Sequence, residues 1–270
     1  MIAWLRNFII EPLRESEEQH RDDCADADGV DRETLCVLLS VPFAVTLREY
    51  LNLGESLYSS LAAVMPTAWG QELLTWTTAI ENQEIARLIA WTLAQTLSFL
   101  ILPILVIKIF LRRPLTEYGV KLRGATKGWW IYAVMFLVMV GPILFLSSES
   151  SFQQTYPFYR LRSSEPLWPR FLVWELLYAV QFVSIEFFFR GYVLHGTRRR
   201  FGPYSILVMT IPYCMIHFGK PLPETIGSIG AGLILGLMSL KTRSIWLGAL
   251  LHIAVAWTMD GAAIGGRSDK

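Results

Sequence analysis

Residues 129–146 read WWIYAVMFLVMVGPILFL, eighteen positions without a charged side chain. As a helix the run rises ~27 Å, close to the ~30 Å hydrocarbon layer of a bilayer. A helix on the surface of a soluble domain returns a polar residue every three or four positions, and this run does not. It reads as a membrane span, and the same pattern recurs to either side. Residues 88–107 and 171–189 are equally strong spans, and 205–218, 225–240 and 245–259 are shorter ones. Residues 34–53 form a marginal first span, interrupted by Pro42 and carrying Arg48 and Glu49 near its end. The pattern predicts an all-α, polytopic transmembrane helical bundle of about seven spans. Residues 54–84 are mixed in character and are expected to be interfacial or looped.

Composition alone would not decide this. A 53% hydrophobic share is compatible with a soluble domain, and it is the arrangement in unbroken runs that is not. A formal net charge of +1 excludes the basic footprint of a nucleic-acid binder. Cys24, Cys36 and Cys214 are scattered, so neither a disulfide framework nor a cysteine zinc site is indicated. Residues 1–10 are apolar but short and lack a small-residue cleavage site, so they do not read as a cleaved signal peptide. Residues 11–33 hold ten acidic residues against three arginines and read as a solvated, mobile tail. Four regions follow: an acidic segment 1–33, an N-terminal transmembrane region 34–114, a transmembrane core 115–262 and a tail 263–270.

Basic residues collect in three connections. One holds Lys108, Arg112, Arg113, Lys121, Arg123 and Lys127, the second Arg198, Arg199 and Arg200, and the third Lys241 and Arg243. Alternating spans put all three on one side, which the positive-inside rule makes cytoplasmic, with the cell inner membrane as the expected location. Residues 147–170 would face out, although Arg160, Arg162 and Arg170 weaken the contrast. Ser228, Gly232 and Gly236, with Gly227 and Ala231 beside them, form a small-residue stripe. It is expected to pack within the monomer, with a homodimer interface as the alternative.

Polar residues inside spans are costly and need a partner or a purpose. They are Glu175, Glu186, Arg190, His217, Glu224, His252 and Asp260. His20 lies in the acidic segment and His195 at the membrane edge, and both are set aside. Glu186 and Arg190 share a helix face at i, i+4 and are expected to pair. Counted from the basic anchors, Glu186, His217 and His252 lie at ~18, ~21 and ~13 Å, with Glu224 and Asp260 near ~25 Å. A carboxylate and two imidazoles from separate helices at similar depth point to a site. Such a set suits acid–base work on a bound water, or a His–His–carboxylate site for a divalent metal such as zinc. The HExxH signature is absent, Gly227-Ser228-Ile229-Gly230 is not a GxSG loop, and Asp260 has no second membrane aspartate for an aspartyl pair.

These residues resemble the CPBP family of intramembrane peptidases, which includes the CAAX proteases and the bacteriocin-processing Abi proteins. That family carries EExxxR, FxxxH and HxxxN on successive helices. Here the first reads Ile185-Glu186-Phe187-Phe188-Phe189-Arg190, then Gly191. The second reads Tyr213-Cys214-Met215-Ile216-His217, and the third His252-Ile253-Ala254-Val255-Ala256. Thr116-Glu117-Tyr118-Gly119-Val120 is similar to the stretch that precedes the family core, so the resemblance covers about 115–260. In the family the first glutamate activates water with the FxxxH histidine, and the HxxxN asparagine helps to stabilise the oxyanion. This chain has Ile185 and Ala256 at those positions.

The resemblance implies an endopeptidase that cleaves a peptide or protein substrate at or within the lipid bilayer. His217 and a carboxylate, Glu186 or Glu224, would activate water, and His252 would steady the oxyanion. A glutamate-type mechanism requires no cofactor, and the metal question stays open. Glu224 and Asp260 are the candidates to compensate for the departures. Their alternatives are a helix N-terminal acid and a membrane-exit residue. Glu175 lies further out and reads as structural or interfacial. The alternative function is an inactive membrane scaffold that binds a lipidated peptide or a partner helix.

Overall fold

The structure is a computed structural model that describes residues 6–25, 31–51, 54–122, 124–160 and 167–268. Leu53, Arg123 and Arg162, and parts of the two terminal segments read above, lie outside the described residues. Among the described residues there is no strand, only an isolated antiparallel bridge between Val120 and Ser244.

A π-helical turn, Arg6–Ile10, leads into α1 (Glu11–Ala25). Then come α2 (Arg32–Leu51), the short α3 (Gly54–Val64) and α4 (Thr67–Thr78), α5 (Gln83–Leu111) and α6 (Trp129–Leu146). The short α7 (Ser150–Thr155) precedes α8 (Arg170–Glu186), which continues through a π-helical stretch, Phe187–Val193, into a last α-helical segment, Leu194–Phe201. The chain ends in α9 (Ser205–Met215), α10 (Leu222–Thr242) and α11 (Trp246–Ser268).

Among the described residues, six stretches are long and apolar enough to cross a membrane: Arg32–Leu51, Gln83–Leu111, Trp129–Leu146, Arg170–Met215, Leu222–Thr242 and Trp246–Gly266. The fourth has 46 residues. Held straight it would measure ~69 Å, about twice a hydrocarbon layer. It folds back at Gly202, whose φ of +51° is a conformation that favours glycine. The stretch therefore holds two helices, α8 and the shorter α9, and with six candidate spans the sequence expectation of about seven is roughly met. The chain is an integral, multi-pass membrane protein. α2 runs through Pro42 without a break, as spans do where neighbours re-satisfy the freed carbonyl.

Two segments are more ordered than a loop or tail. Residues 54–84, expected to be interfacial or looped, are largely helical, which leaves the interfacial alternative. α3 and α4 form a close helical hairpin, in which a Cβ on Gly70 would come within 2.6 Å of the Ala62 carbonyl oxygen. The acidic segment is not a loose tail either, because α1 lies across the basic connections. His20 Nδ1 meets the Arg199 carbonyl at 2.8 Å, Arg243 Nη2 donates to Gln19 Oε1 at 3.2 Å, and Lys241 Nζ donates to the Asn7 carbonyl at 2.9 Å. Read alone, the acids suggested only solvent; in the fold Glu11 and Glu15 come within charge range of Lys241. The first basic connection joins the same end: Ile245 N donates to Gly119 O at 3.0 Å and Trp246 Nε1 to Val120 O at 3.4 Å.

The centre of the bundle is the second half of α8. Phe187, Phe188, Phe189, Tyr192 and Val193 are buried with Val37 of α2, Phe99 of α5, and Met209 and Tyr213 of α9. A membrane helix buried on every side must satisfy its polar side chains within the protein, and α8 carries both Glu186 and Arg190.

Candidate functional site

Glu186 is the last residue of the regular part of α8, and Arg190 lies in its π-helical stretch. Such stretches recur at functional sites, where the wider turn re-aims side chains. The i, i+4 spacing brings Arg190 Nη1 to 2.9 Å from Glu186 Oε1, with both side chains at most 1% exposed. His252 Nδ1 reaches the same oxygen at 2.8 Å. These contacts lack hydrogen-bond angles, and opposite charge holds the Glu186–Arg190 pair. The second carboxylate oxygen faces Gly248, where a Cβ would stand 2.5 Å from Oε2. Gly248 is the third residue of α11, so the carboxylate also sits at the positive end of a long helix. A guanidinium, an imidazole and a helix end together offset the cost of burying this anion.

Tyr213 of α9 ties the cluster to both histidines. Its ring lies 3.7 Å from the Arg190 guanidinium carbon, a cation–π contact. Its hydroxyl is 3.1 Å from His252 Nε2, and its carbonyl oxygen is 2.8 Å from His217 Nδ1. A carbonyl only accepts, so His217 Nδ1 carries the proton and Nε2 keeps a lone pair. His252 is further held by stacking on Phe182, with ring centroids 5.4 Å apart and planes 23° apart.

His217, His252 and Tyr213 line one cleft of ≈ 50 Å³, room for about one or two waters. Ile185, Arg48 and Lys220 line it too, and no carboxylate does. Its floor continues into a polar ladder. Arg48 Nε donates to Gln95 Oε1 at 3.2 Å, Gln95 Nε2 to Gln181 Oε1 at 3.4 Å, and Gln181 Nε2 to Thr92 Oγ1 at 2.8 Å. Arg48 also pairs with Glu49 at 2.8 Å. Sequence reasoning missed Tyr213, Gly248 and this ladder, although an amide in each of two apolar runs was a usable signal.

The structure brings together Glu186, Arg190, His217 and His252, ties Glu224 to the cleft's edge through Lys220, and places Asp260 elsewhere. Glu224 accepts from Lys220 Nζ at 2.6 Å and from Tyr156 Oη at 2.8 Å. Burial pushes the Tyr156 hydroxyl well above its usual range, so it stays a donor. Asp260 is fully buried, accepts from Trp174 Nε1 at 2.9 Å and lies against the carboxyl of Glu175. Eight residues along a helix overshoot two full turns by about 80°, which turns Asp260 away from the His252 face. His195 is buried against Ser239 Oγ at 3.2 Å, outside the cleft. Ala256 is 2% exposed and packs with Trp174 and Tyr178.

A catalytic zinc needs about three protein ligands. Among the described residues no group of three His, Cys, Asp or Glu stands close enough to hold a metal ion. The nitrogens of His252 are both engaged, so the donor set does not fit a His–His–carboxylate centre.

Buried charge at the heart of a polytopic bundle, with two histidines opening on one cleft, defines an intramembrane protein with a chemically equipped core. Residues 166–258 match the family model described as Type II CAAX prenyl endopeptidase Rce1-like. The match spans the three motif segments and bears out the CPBP resemblance over that part of the chain. No curated protein and no solved structure gives a match.

Proposed function

We propose that the chain is an intramembrane endopeptidase of the CAAX type that hydrolyses a membrane-held peptide, with His217 as its general base. The observation that carries this is the fixed tautomer of His217. With Nδ1 donating to the Tyr213 carbonyl, Nε2 is left to accept from a water in the cleft it shares with His252. In the forward step the water oxygen bonds to the scissile carbonyl carbon and its proton passes to His217 Nε2. The carbonyl electron pair moves to oxygen, next to His252. On collapse the C–N bond breaks, and His217 returns the proton to the leaving amine. Glu186 and Arg190 do not line the cleft; they position His252. A prenylated peptide is the substrate class to which the family description points. The basic end of the bundle faces the cytoplasm of a cell whose inner membrane holds the protein.

One observation favours a second reading. Ile185 lines the cleft where the family places its water-activating glutamate, and a cleft without that base suits a binder of lipidated peptide. The test compares cleavage of a prenylated reporter peptide in nanodiscs by the wild-type protein, His217→Ala and Ile185→Glu. The peptidase reading expects His217→Ala to lower the rate by about 10²–10⁴-fold and Ile185→Glu to raise it. Bound but uncleaved peptide in both the wild type and Ile185→Glu would establish the binder instead.

A further inference from the structure

We infer that the Tyr213 hydroxyl is the oxyanion donor of this cleft, in the place that the family gives to an asparagine; the inference rests on the peptidase reading above. Two departures are involved. At the third motif the chain has Ala256, which is buried among Trp174 and Tyr178 and has no donor to offer. At the first position of the second motif, where the family pattern has phenylalanine, it has tyrosine, a residue that lines the cleft, and the added atom is the hydroxyl 3.1 Å from His252 Nε2.

The surroundings fix that hydroxyl. The tyrosine ring is held flat by the Arg190 guanidinium at 3.7 Å and by the edge of Phe189, with centroids 5.3 Å apart. His252 is held in turn, with its Nδ1 against Glu186 and its ring on Phe182. His252 presents Nε2 to the tyrosine oxygen at 3.1 Å. Where that nitrogen is the donor, the tyrosine O–H is left to point onward into the cleft. An oxyanion forming beside His252 then meets a donor whose direction was set before the reaction, which makes such donors effective. No bond is formed or broken by the tyrosine; it donates one hydrogen bond to charge that appears in the transition state.

The experiment uses the full chain in nanodiscs, in the wild-type and Ile185→Glu backgrounds. Tyr213→Phe keeps the ring and removes the donor. It should lower kcat by about 10²–10³-fold with KM little changed, and Ala256→Asn added to it should recover at least part of the loss. A second readout needs no turnover: a peptide phosphonate, whose charged oxygen mimics the oxyanion, should bind Tyr213→Phe more weakly while the substrate peptide binds as before. Thermal melts check folding, and if Tyr213→Phe melts early, fluorotyrosine at position 213 keeps the shape and must shift the pH–rate profile. Retained activity with unchanged phosphonate affinity overturns the inference and leaves the peptidase reading intact. No turnover in either background, with phosphonate affinity still lost in Tyr213→Phe, overturns the peptidase reading and keeps the hydroxyl as the donor of a cleft without a base.

Discussion

At the residue scale the molecule turns on Glu186. A carboxylate 1% exposed in a membrane protein is tolerated because Arg190, His252 and the first turn of α11 all converge on it. Arg190→Ala leaves that anion without its main partner and should cost about 3–5 kcal/mol in a detergent melt. Removing both charges with Glu186→Gln and Arg190→Met should cost less than the sum of the single changes. Gly248→Ala is a sharper probe, because the added methyl would stand 2.5 Å from Glu186 Oε2. It should displace the carboxylate from His252 and lower peptide cleavage even where the protein still accumulates; unchanged kinetics would show that the seat is not needed. The sequence carried part of this. The i, i+4 pair and the matched heights of His217 and His252 follow from helical rise alone. Rise gives depth but not azimuth, so the same count put Glu224 and Asp260 at the right level without revealing that one faces Tyr156 and the other Trp174. Gly248 left no trace because its role depends on an atom from another helix.

At the element scale the spans were legible because lipid demands long apolar runs, whereas helix pairing was not. The small-residue stripe of α10 is the instructive case. A Cβ on Gly232 would stand 2.8 Å from Thr210 Cγ2, and one on Gly236 would stand 3.0 Å from both Ile206 and Met209. The stripe is therefore filled by α9 of the same chain. Gly227 and Gly230, on the same helix, meet nothing within 4 Å. Gly232→Leu should lower stability by at least about 1–3 kcal/mol through overpacking, whereas Gly227→Leu should leave the melt almost unchanged. Equal effects from the two would mean that the α9–α10 contact is drawn wrongly. The π-helical stretch of α8 was equally invisible in sequence, since nothing in Phe187–Val193 departs from an ordinary apolar run.

At the scale of the whole molecule, the basic connections gather at one end beneath α1. Reporter insertions in 121–128, after Arg200 and after Arg243 should all report the same compartment; opposite signals from any two would refute the arrangement. Charge bias in the sequence already indicated this polarity, but it could not show that an acidic helix fastens the loops together. That fastening has a consequence for how the protein is made. Lys241 holds the carbonyl of Asn7 across 234 residues of chain. Translation at about 5–20 residues per second separates the birth of these two partners by about 12–47 s. Through that interval α1 is already made while its docking site is incomplete. Its full seating thus waits for the end of α10: a chain truncated before Lys241 would leave the acidic helix with only its contacts near Arg199, more open to any protease that surveys unfinished membrane proteins.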